Sequence, residues 1–204
     1  MSSEVAERSL TTVSIIEVAA AAFAERGYAA VSMRDIALGC GCTPAAIYYH
    51  FDGKLALYRA VLRETFQTRV KPASAIVNAG GNPLKRLEAL ITWYGTLVTS
   101  DPVFARLLHR ELLDGDEETH RFLGEEVFGD SYRELIDFIS PLVPADDTHR
   151  TLSAMFGLVF GYYEFWPVRR FLDAGDAGDD PADLAAFVVR ALSGTVFDGT
   201  TRDA

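Results

Sequence analysis

In this 204-residue sequence, the side chains that could take part in the widest range of reactions are two thiols, Cys40 and Cys42, and the pair His109 and Glu111. Two thiols so close can form a disulfide or bind a soft metal, but a zinc site needs further ligands and no histidine pair at ligand spacing lies nearby. His-x-Glu occurs in zinc deaminases together with a Pro-Cys-x-x-Cys segment, which this sequence lacks. HExxH, a Walker loop, a dinucleotide fingerprint and a nucleophile elbow are also missing from the sequence. We therefore expect small, buried structural thiols and no enzyme, metal or cofactor.

The consecutive aromatic residues Tyr48, Tyr49 and His50 could contact a ligand or partner instead. A tyrosine hydroxyl can bond a phosphate oxygen of DNA, and its ring can lie on a thymine methyl group. On an isolated helix these residues are equally well explained as surface aromatics. The elements around them decide between the two interpretations.

Those elements predict a helix-turn-helix. Ser32 and Asp35 have the spacing of a capping box that opens a short helix with Met33, Ile36 and Ala37 on its apolar side. Glycines at 39 and 41 predict the turn, and Thr43 followed by Pro44 predicts a capped second helix over about Pro44 to His50. A helix presented in this way fits the major groove of B-DNA. We therefore expect DNA contacts from the exposed side chains of this motif and from the helix start at Lys54: Arg34, Thr43, Pro44, Ala45, Tyr48, Tyr49, His50 and Lys54.

The segment from about Ile15 to Leu57 resembles the DNA-binding domain of the tetracycline-repressor (TetR) family, which would cover about the first quarter of the chain. Cys42 and Ala45 depart from the usual pattern, which has an aliphatic residue and glycine there, and both changes are small. The matching positions are Ile15-Ile16, Ala19, Phe23, Gly27-Tyr28, Ser32 to Ala37, Gly41, Thr43, Ile47-Tyr48, His50-Phe51, Lys54 and Leu57.

The net charge of −10 is unevenly distributed. Residues 1–71 hold eight Lys/Arg and seven Asp/Glu, whereas residues 72–204 hold eleven and twenty-two. The acidic part is therefore the part that need not touch DNA, and binding cannot rest on long-range attraction alone. No run of eighteen apolar residues exists, and the N-terminal segment does not read as a signal peptide, so we expect no membrane span and a cytoplasmic location.

The rest of the sequence predicts an all-α protein of about nine helices, with a DNA-binding domain at 1–57 and a larger helical domain at 58–204. Predicted helices run from Thr12 to Arg26, from Lys54 to near Pro72, and through later segments announced by Asn82-Pro83, Asp101-Pro102 and Asp180-Pro181. The helices at about Thr148 to Trp166 and Pro181 to Phe197 carry more apolar surface than one core needs, which predicts a homodimer. The interface residues expected on them are Phe156, Val159, Leu184, Phe187, Val188 and Ala191.

The resemblance implies a repressor whose larger domain binds an effector, shifts the helix from Lys54 to about Val70, and so releases a palindromic double-stranded DNA operator. The density of aromatic residues predicts a small apolar or aromatic effector. Candidate ligand contacts are Trp93, Phe104, Glu111, Phe160, Tyr163 and Glu164. The alternatives are a helical scaffold or adaptor that does not bind DNA and a thiol-dependent enzyme, for which no base beside a cysteine is evident.

Overall fold

A computed structural model describes residues 11–172 and 180–192, which are helical and contain no strand. It has eleven α-helices rather than the nine expected, because the 117–139 segment forms two helices and a short helix separates after residue 164. A π-helical turn, Leu123–Val127, joins the two halves of that segment. The helices are α1 Thr12–Ala30, α2 Met33–Cys40, α3 Pro44–His50, α4 Lys54–Asn78, α5 Pro83–Ser100, α6 Pro102–Asp114, α7 Glu117–Phe122, α8 Gly129–Ile139, α9 Thr148–Glu164, α10 Trp166–Arg169 and α11 Pro181–Leu192.

Three helices begin where the sequence predicts, each with a polar cap before a proline. The Asn82 side chain accepts from Leu84 N at 2.8 Å, and the Asp101 side chain accepts from Phe104 N at 2.9 Å. Asp180 likewise accepts from Ala182 N at 2.8 Å. The side-chain oxygen satisfies a backbone N–H that has no partner within the helix, and proline follows where its missing N–H costs nothing.

The helix end predicted at Arg26 is a break inside α1, where Gly27 has a non-helical φ of 80° and ψ of 163°, and the end predicted at Phe197 lies outside the described residues. Two other predicted helix ends are wrong. Helix α4 does not end near Pro72 but continues to Asn78, with Ala73 and Val77 buried beyond the proline. Tertiary burial of the last turns thus outweighs the hydrogen bond that proline removes. Gly39 does not form the turn either, because α2 includes it. A Cβ at Gly39 would lie 2.7 Å from Val18 Cγ1, so this glycine allows α2 to approach α1 closely.

The helices pack as two connected groups. Helix α1 packs on α2, α4 and α6, and α2 in turn packs on α3. The rest of α4 packs on α5 and α8, while α5 is enclosed by α9 and α11. The boundary predicted at residues 57 and 58 falls inside α4. A single continuous helix therefore connects the N-terminal module to the larger helical group.

Candidate nucleic-acid interface and effector cavity

The turn of the helix-turn-helix is held by local hydrogen bonds, as predicted. Gly41 has φ 66° and ψ 30°, its N–H donates to Leu38 O at 3.1 Å, and Cys42 N donates to Ala37 O at 2.9 Å. The Thr43 hydroxyl accepts from Ala46 N at 3.3 Å and starts α3. These bonds close the C-terminus of α2 and the N-terminus of α3, so the angle between the two helices is set by the backbone itself.

Helix α3 turns its aromatic face to solvent. Tyr49 is 87% exposed and Tyr48 is 54% exposed, whereas Ile47 and Phe51 are buried. Tyr49 meets the His50 ring edge to face, with ring centres 5.4 Å apart, and most of the surface of both tyrosines is open to solvent. They offer hydroxyls and ring faces to a partner surface.

Four of the expected DNA contacts lie together. Arg34, Pro44, Tyr48 and Lys54 line one shallow groove between the start of α2 and the starts of α3 and α4. Thr43 and Ala45 are exposed beside it.

Two other expected contacts are engaged within the chain. His50 is half-buried, and its Nδ1 lies 3.2 Å from Thr12 Oγ1, which ties the end of α3 to the start of α1. Lys54 Nζ donates to Ala29 O at 3.4 Å and lies 4.2 Å from the centre of the Tyr28 ring. Partial burial lowers the pKa of the Lys54 ammonium. Lys54 thus has a structural role in joining α1 to α4 in addition to any DNA contact.

The three arginines of α4 are neutralised by acidic residues of the larger domain. Arg59 pairs with Glu118, Arg63 pairs with Glu126, and Arg69 pairs with Asp101. In the N-terminal module, Arg26 lies 3.8 Å from Asp35, whereas Arg34 forms no ion pair with any residue that the structure describes. The arginines of α4 therefore offer little free positive charge to a partner, whereas Lys71, late in the helix, is exposed.

A cavity of about 220 Å³ lies between α4, α5, α8 and α9. Its wall is apolar over the residues that the structure describes. Tyr94 meets Phe156 edge to face, with ring centres 4.8 Å apart, and burial raises the pKa of the Tyr94 hydroxyl. The lining residues are Val70, Ala73, Trp93, Tyr94, Phe128, Ser131, Tyr132, Leu135 and Phe156.

The six expected ligand contacts do not come together. Trp93 lines this cavity, while Phe104 is buried against Phe66 with ring centres 5.4 Å apart. Tyr163 and Glu164 line a separate open crevice with Val98 and Trp166. Glu164 also lies 3.0 Å from His109, whose ring is near that of Phe160. The remaining candidate, Glu111, is part of the core.

Sequence reasoning missed most of the cavity lining. Phe128, Tyr132 and Leu135 have the spacing of one face of α8, and Val70 and Ala73 have the same property on α4. This spacing identifies a buried face but does not distinguish a packed core from a cavity wall. Only the arrangement of the four helices makes the distinction.

Three of the six residues expected at a dimer interface lie in the core instead. Val159, Leu184 and Val188 are buried in the core of the protomer itself, because α9 and α11 both pack on α5. They are not on a surface that a partner could contact. Phe156 lines the cavity, whereas Phe187 is 55% exposed and Ala191 is also exposed. The homodimer itself stays a prediction.

Hydrogen bonds connect α6 to α1 and to α4. Arg110 Nε donates to Ala24 O at 3.0 Å and its Nη2 donates to Glu25 O at 2.7 Å, near the end of α1. The Tyr58 hydroxyl on α4 donates to the carboxyl group of Glu111. Burial of the Glu111 carboxyl raises its pKa. Because α6 is bonded to both helices, a shift of α6 relative to α4 would also displace α1.

Known proteins share this arrangement. Residues 15–61 match the family model described as bacterial regulatory proteins, tetR family. This part of the chain is therefore similar to the N-terminal segment of tetR-family regulators. The chain is also similar to the HTH-type transcriptional repressor KstR2 of Mycobacterium tuberculosis, with 40% identity over 76 residues. Those residues are 37% of this chain and 38% of KstR2, so the chain aligns with about two fifths of that relative's length.

Solved structures resemble the whole fold. FadR from Bacillus subtilis, solved with stearoyl-CoA, has a TM-score of 0.72 at 18% identity and covers 89% of this chain and 97% of its own. AibR, solved with isovaleryl coenzyme A and operator DNA, has a TM-score of 0.67 at 23% identity and covers 91% and 97%. These likenesses show that the chain shares the overall fold of those two proteins.

Two further structural findings bear on other functions. Within residues 11–172 and 180–192, no helix has the length and apolarity to cross a bilayer. Over the same ranges, His, Cys, Asp and Glu form no group of three that could hold a metal ion.

Proposed function

We propose that this protein is a homodimeric transcriptional repressor that binds a palindromic operator and releases it when a small apolar molecule enters the cavity. The observation that carries the proposal is the capped α3 helix with Tyr48 and Tyr49 on its exposed face, inside a segment that matches the tetR family model. In a dimer, two such helices would enter successive major grooves about 34 Å apart.

The path from the cavity to DNA runs along α4. Val70 and Ala73 form one wall of the cavity, and α4 begins at Lys54 in the groove that also contains Tyr48. At about 1.5 Å per residue, the 16 residues from Lys54 to Val70 span roughly 24 Å of rigid helix. A ligand that displaces one end of α4 therefore moves the other end, provided that it binds the two states of the dimer with different affinities.

The dimer surface is proposed on the outer side of α9 to α11. Leu158, Phe165 and Phe187 are exposed there, although each is large and apolar. Large apolar side chains exposed on α9 and α11, two helices that both pack on α5, support an interaction surface on this side. A second copy of this chain would bury these side chains.

Footprinting on DNA that flanks the gene of this protein tests the proposal. We expect protection of an inverted repeat by the parent protein and loss of protection with Tyr49→Ala, because the variant removes the exposed ring and hydroxyl proposed to contact DNA. Tyr49 is exposed and its ring contact is with its neighbour His50, so the variant should remain folded. Leu112→Ala, which truncates an exposed apolar residue on α6, serves as the matched control and should bind as the parent does. A protein that binds no DNA but remains folded would support the alternative of a helical scaffold.

A further inference from the structure

Helix α3 lacks the side chains that usually distinguish one base from another. Its seven residues, from Pro44 to His50, are PAAIYYH and include no Arg, Lys, Asn, Gln, Asp or Glu. In the major groove of DNA, Arg or Lys reads guanine, Asn or Gln reads adenine, and an acidic side chain reads cytosine. The paired and charged hydrogen bonds that specify those three bases are therefore not available to α3.

The exposed side chains of α3 divide into two groups. Tyr48 lies in the shallow groove with Arg34 and Lys54, so its hydroxyl is placed beside two cations, where a phosphate would be bound. Ala45 and Tyr49 are exposed outside this groove, and their spacing of four residues puts them on one face of the helix. This second face offers a methyl group and an aromatic ring.

The ring of Tyr49 is supported from one side and open on the rest. It meets the His50 ring edge to face, with ring centres 5.4 Å apart, and is 87% exposed. His50 is half-buried, and its Nδ1 lies 3.2 Å from Thr12 Oγ1, so α1 holds the ring that supports Tyr49. A side chain that is already positioned in this way loses less conformational freedom when it packs on a partner.

Thymine is the base that this face fits. It presents a C5-methyl group in the major groove, which alanine and aromatic side chains contact without a hydrogen bond. We infer that α3 reads its half-site through thymine methyl groups, with Ala45 and Tyr49 as the residues that determine specificity. This inference rests on the proposed function, because it assigns what the same helix recognises in the operator.

Operators in which deoxyuridine replaces thymidine test the inference. Uracil keeps the O4 acceptor, the base pair and the phosphates, and lacks only the methyl group. The duplex is the repeat protected in footprinting or, if the flanking DNA contains none, a duplex selected by the full chain from a random pool. Each thymine of the half-site is replaced in turn, together with its symmetry mate, and affinity is measured by fluorescence anisotropy.

We expect the most sensitive pair of replacements to weaken binding about 15-fold, because each lost methyl contact costs about fourfold in affinity. The same replacement in DNA outside the protected repeat is the matched control and should leave affinity unchanged. A half-site selected from the random pool should contain thymine at the positions that face α3.

Variants of the protein assign the contact to particular side chains. Tyr49→Phe keeps the ring and should keep the sensitivity to deoxyuridine. Tyr49→Ala, titrated to higher protein concentrations, should bind the thymine and uracil operators equally at the position that the ring contacts. Ala45→Gly should do the same at a different thymine. Tyr48→Phe is the control among these variants, since loss of a phosphate contact should weaken both operators by the same factor.

The outcomes separate this inference from the proposed function. Equal binding of the thymine and uracil operators, or a selected half-site without thymine, would overturn the inference and leave the proposed function standing. A uracil penalty that persists in both Tyr49→Ala and Ala45→Gly would overturn the assignment of these residues. Equal binding of the two operators by Tyr49→Phe would overturn the ring contact, because the hydroxyl would then carry the sensitivity. A parent protein that binds no duplex would refute the proposed function and the inference together.

Discussion

Replacing Arg34 with alanine should make operator binding less sensitive to salt. Arg34 is exposed, lines the groove with Tyr48 and Lys54, and forms no ion pair with any described residue. It is therefore the cation of the described N-terminal module best placed to neutralise a DNA phosphate. Each phosphate neutralised contributes about −0.9 to the slope of log affinity against log salt concentration, because bound counterions are released.

The structure bounds the slope of the parent protein. The module contains Arg34 and Lys54 at the groove, and Arg8, which lies outside the described residues, is a third cation of the same segment. Two or three contacts in each subunit correspond to four to six in a dimer, which predicts a slope of about −4 to −5. The arginines of α4 add nothing to this number while they remain paired with Glu118, Glu126 and Asp101.

Arg34→Ala removes two of these contacts from the dimer and should bring the slope about two units closer to zero. The measurement is fluorescence anisotropy of labelled operator over a series of salt concentrations from about 50 to 200 mM, the range over which the effect is large. Arg106→Ala is the matched control, because Arg106 is an exposed arginine on α6 and lies away from the groove.

An unchanged slope for Arg34→Ala, or an equal change for Arg106→Ala, would refute this assignment of the DNA-facing side. A parent slope steeper than about −8 would show that the α4 arginines leave their acidic partners and reach the DNA.

Three more predictions follow from the burial and the backbone of particular residues. Phe187→Glu should convert the dimer to a monomer in sedimentation experiments, since a charge would be buried without a partner; a protein whose mass is unchanged would exclude α11 from the interface. Burial raises the pKa of Glu111, so the folded state holds its proton more tightly than the unfolded state does, and this contribution to stability is present at acidic pH and lost as pH rises through the raised pKa. Glu111→Gln should therefore gain stability relative to the parent between acidic and neutral pH in urea unfolding, and an equal difference at every pH would contradict the reasoning. Gly27→Ala should lower the free energy of unfolding by about 1–3 kcal/mol, because Gly27 has φ 80° and a Cβ would lie 2.9 Å from Arg110 Nη1. Gly41→Asn is its control, since asparagine tolerates the left-handed conformation and nothing lies within 4 Å of that Cβ; equal losses in the two variants would contradict the role of the contact with Arg110.

The helix-turn-helix could be predicted from the sequence because the interactions that define it are local. The Ser32–Asp35 capping box, the left-handed Gly41 and the Thr43 cap each involve atoms no more than four or five residues apart. Such short-range contacts leave a recognisable spacing of residue types in the sequence. The same reasoning explains why the helix starts at Pro83, Pro102 and Pro181 were predicted correctly.

Features that depend on distant parts of the chain were not predictable in this way. In the sequence, Pro72 predicts a helix end. In the structure α4 continues past it, because Ala73 and Val77 are buried against other helices. The apolar stripe of α11 is typical of an interface with a partner, yet α11 packs on α5 within the same protomer. Glu111 is 53 residues from the Tyr58 hydroxyl that bonds it, and no spacing rule links the two positions.

The sequence by itself thus determined the class of fold, the position of the recognition helix and the residues that it exposes, because periodicity, caps and turns are properties of neighbouring residues. The tertiary structure alone decided which aromatic side chains surround a cavity and which fill the core, because both kinds of residue have the same helical spacing. It also decided which arginines carry a free charge, since the fold brings Glu118 to Arg59, whereas Arg34 forms no ion pair with a described residue.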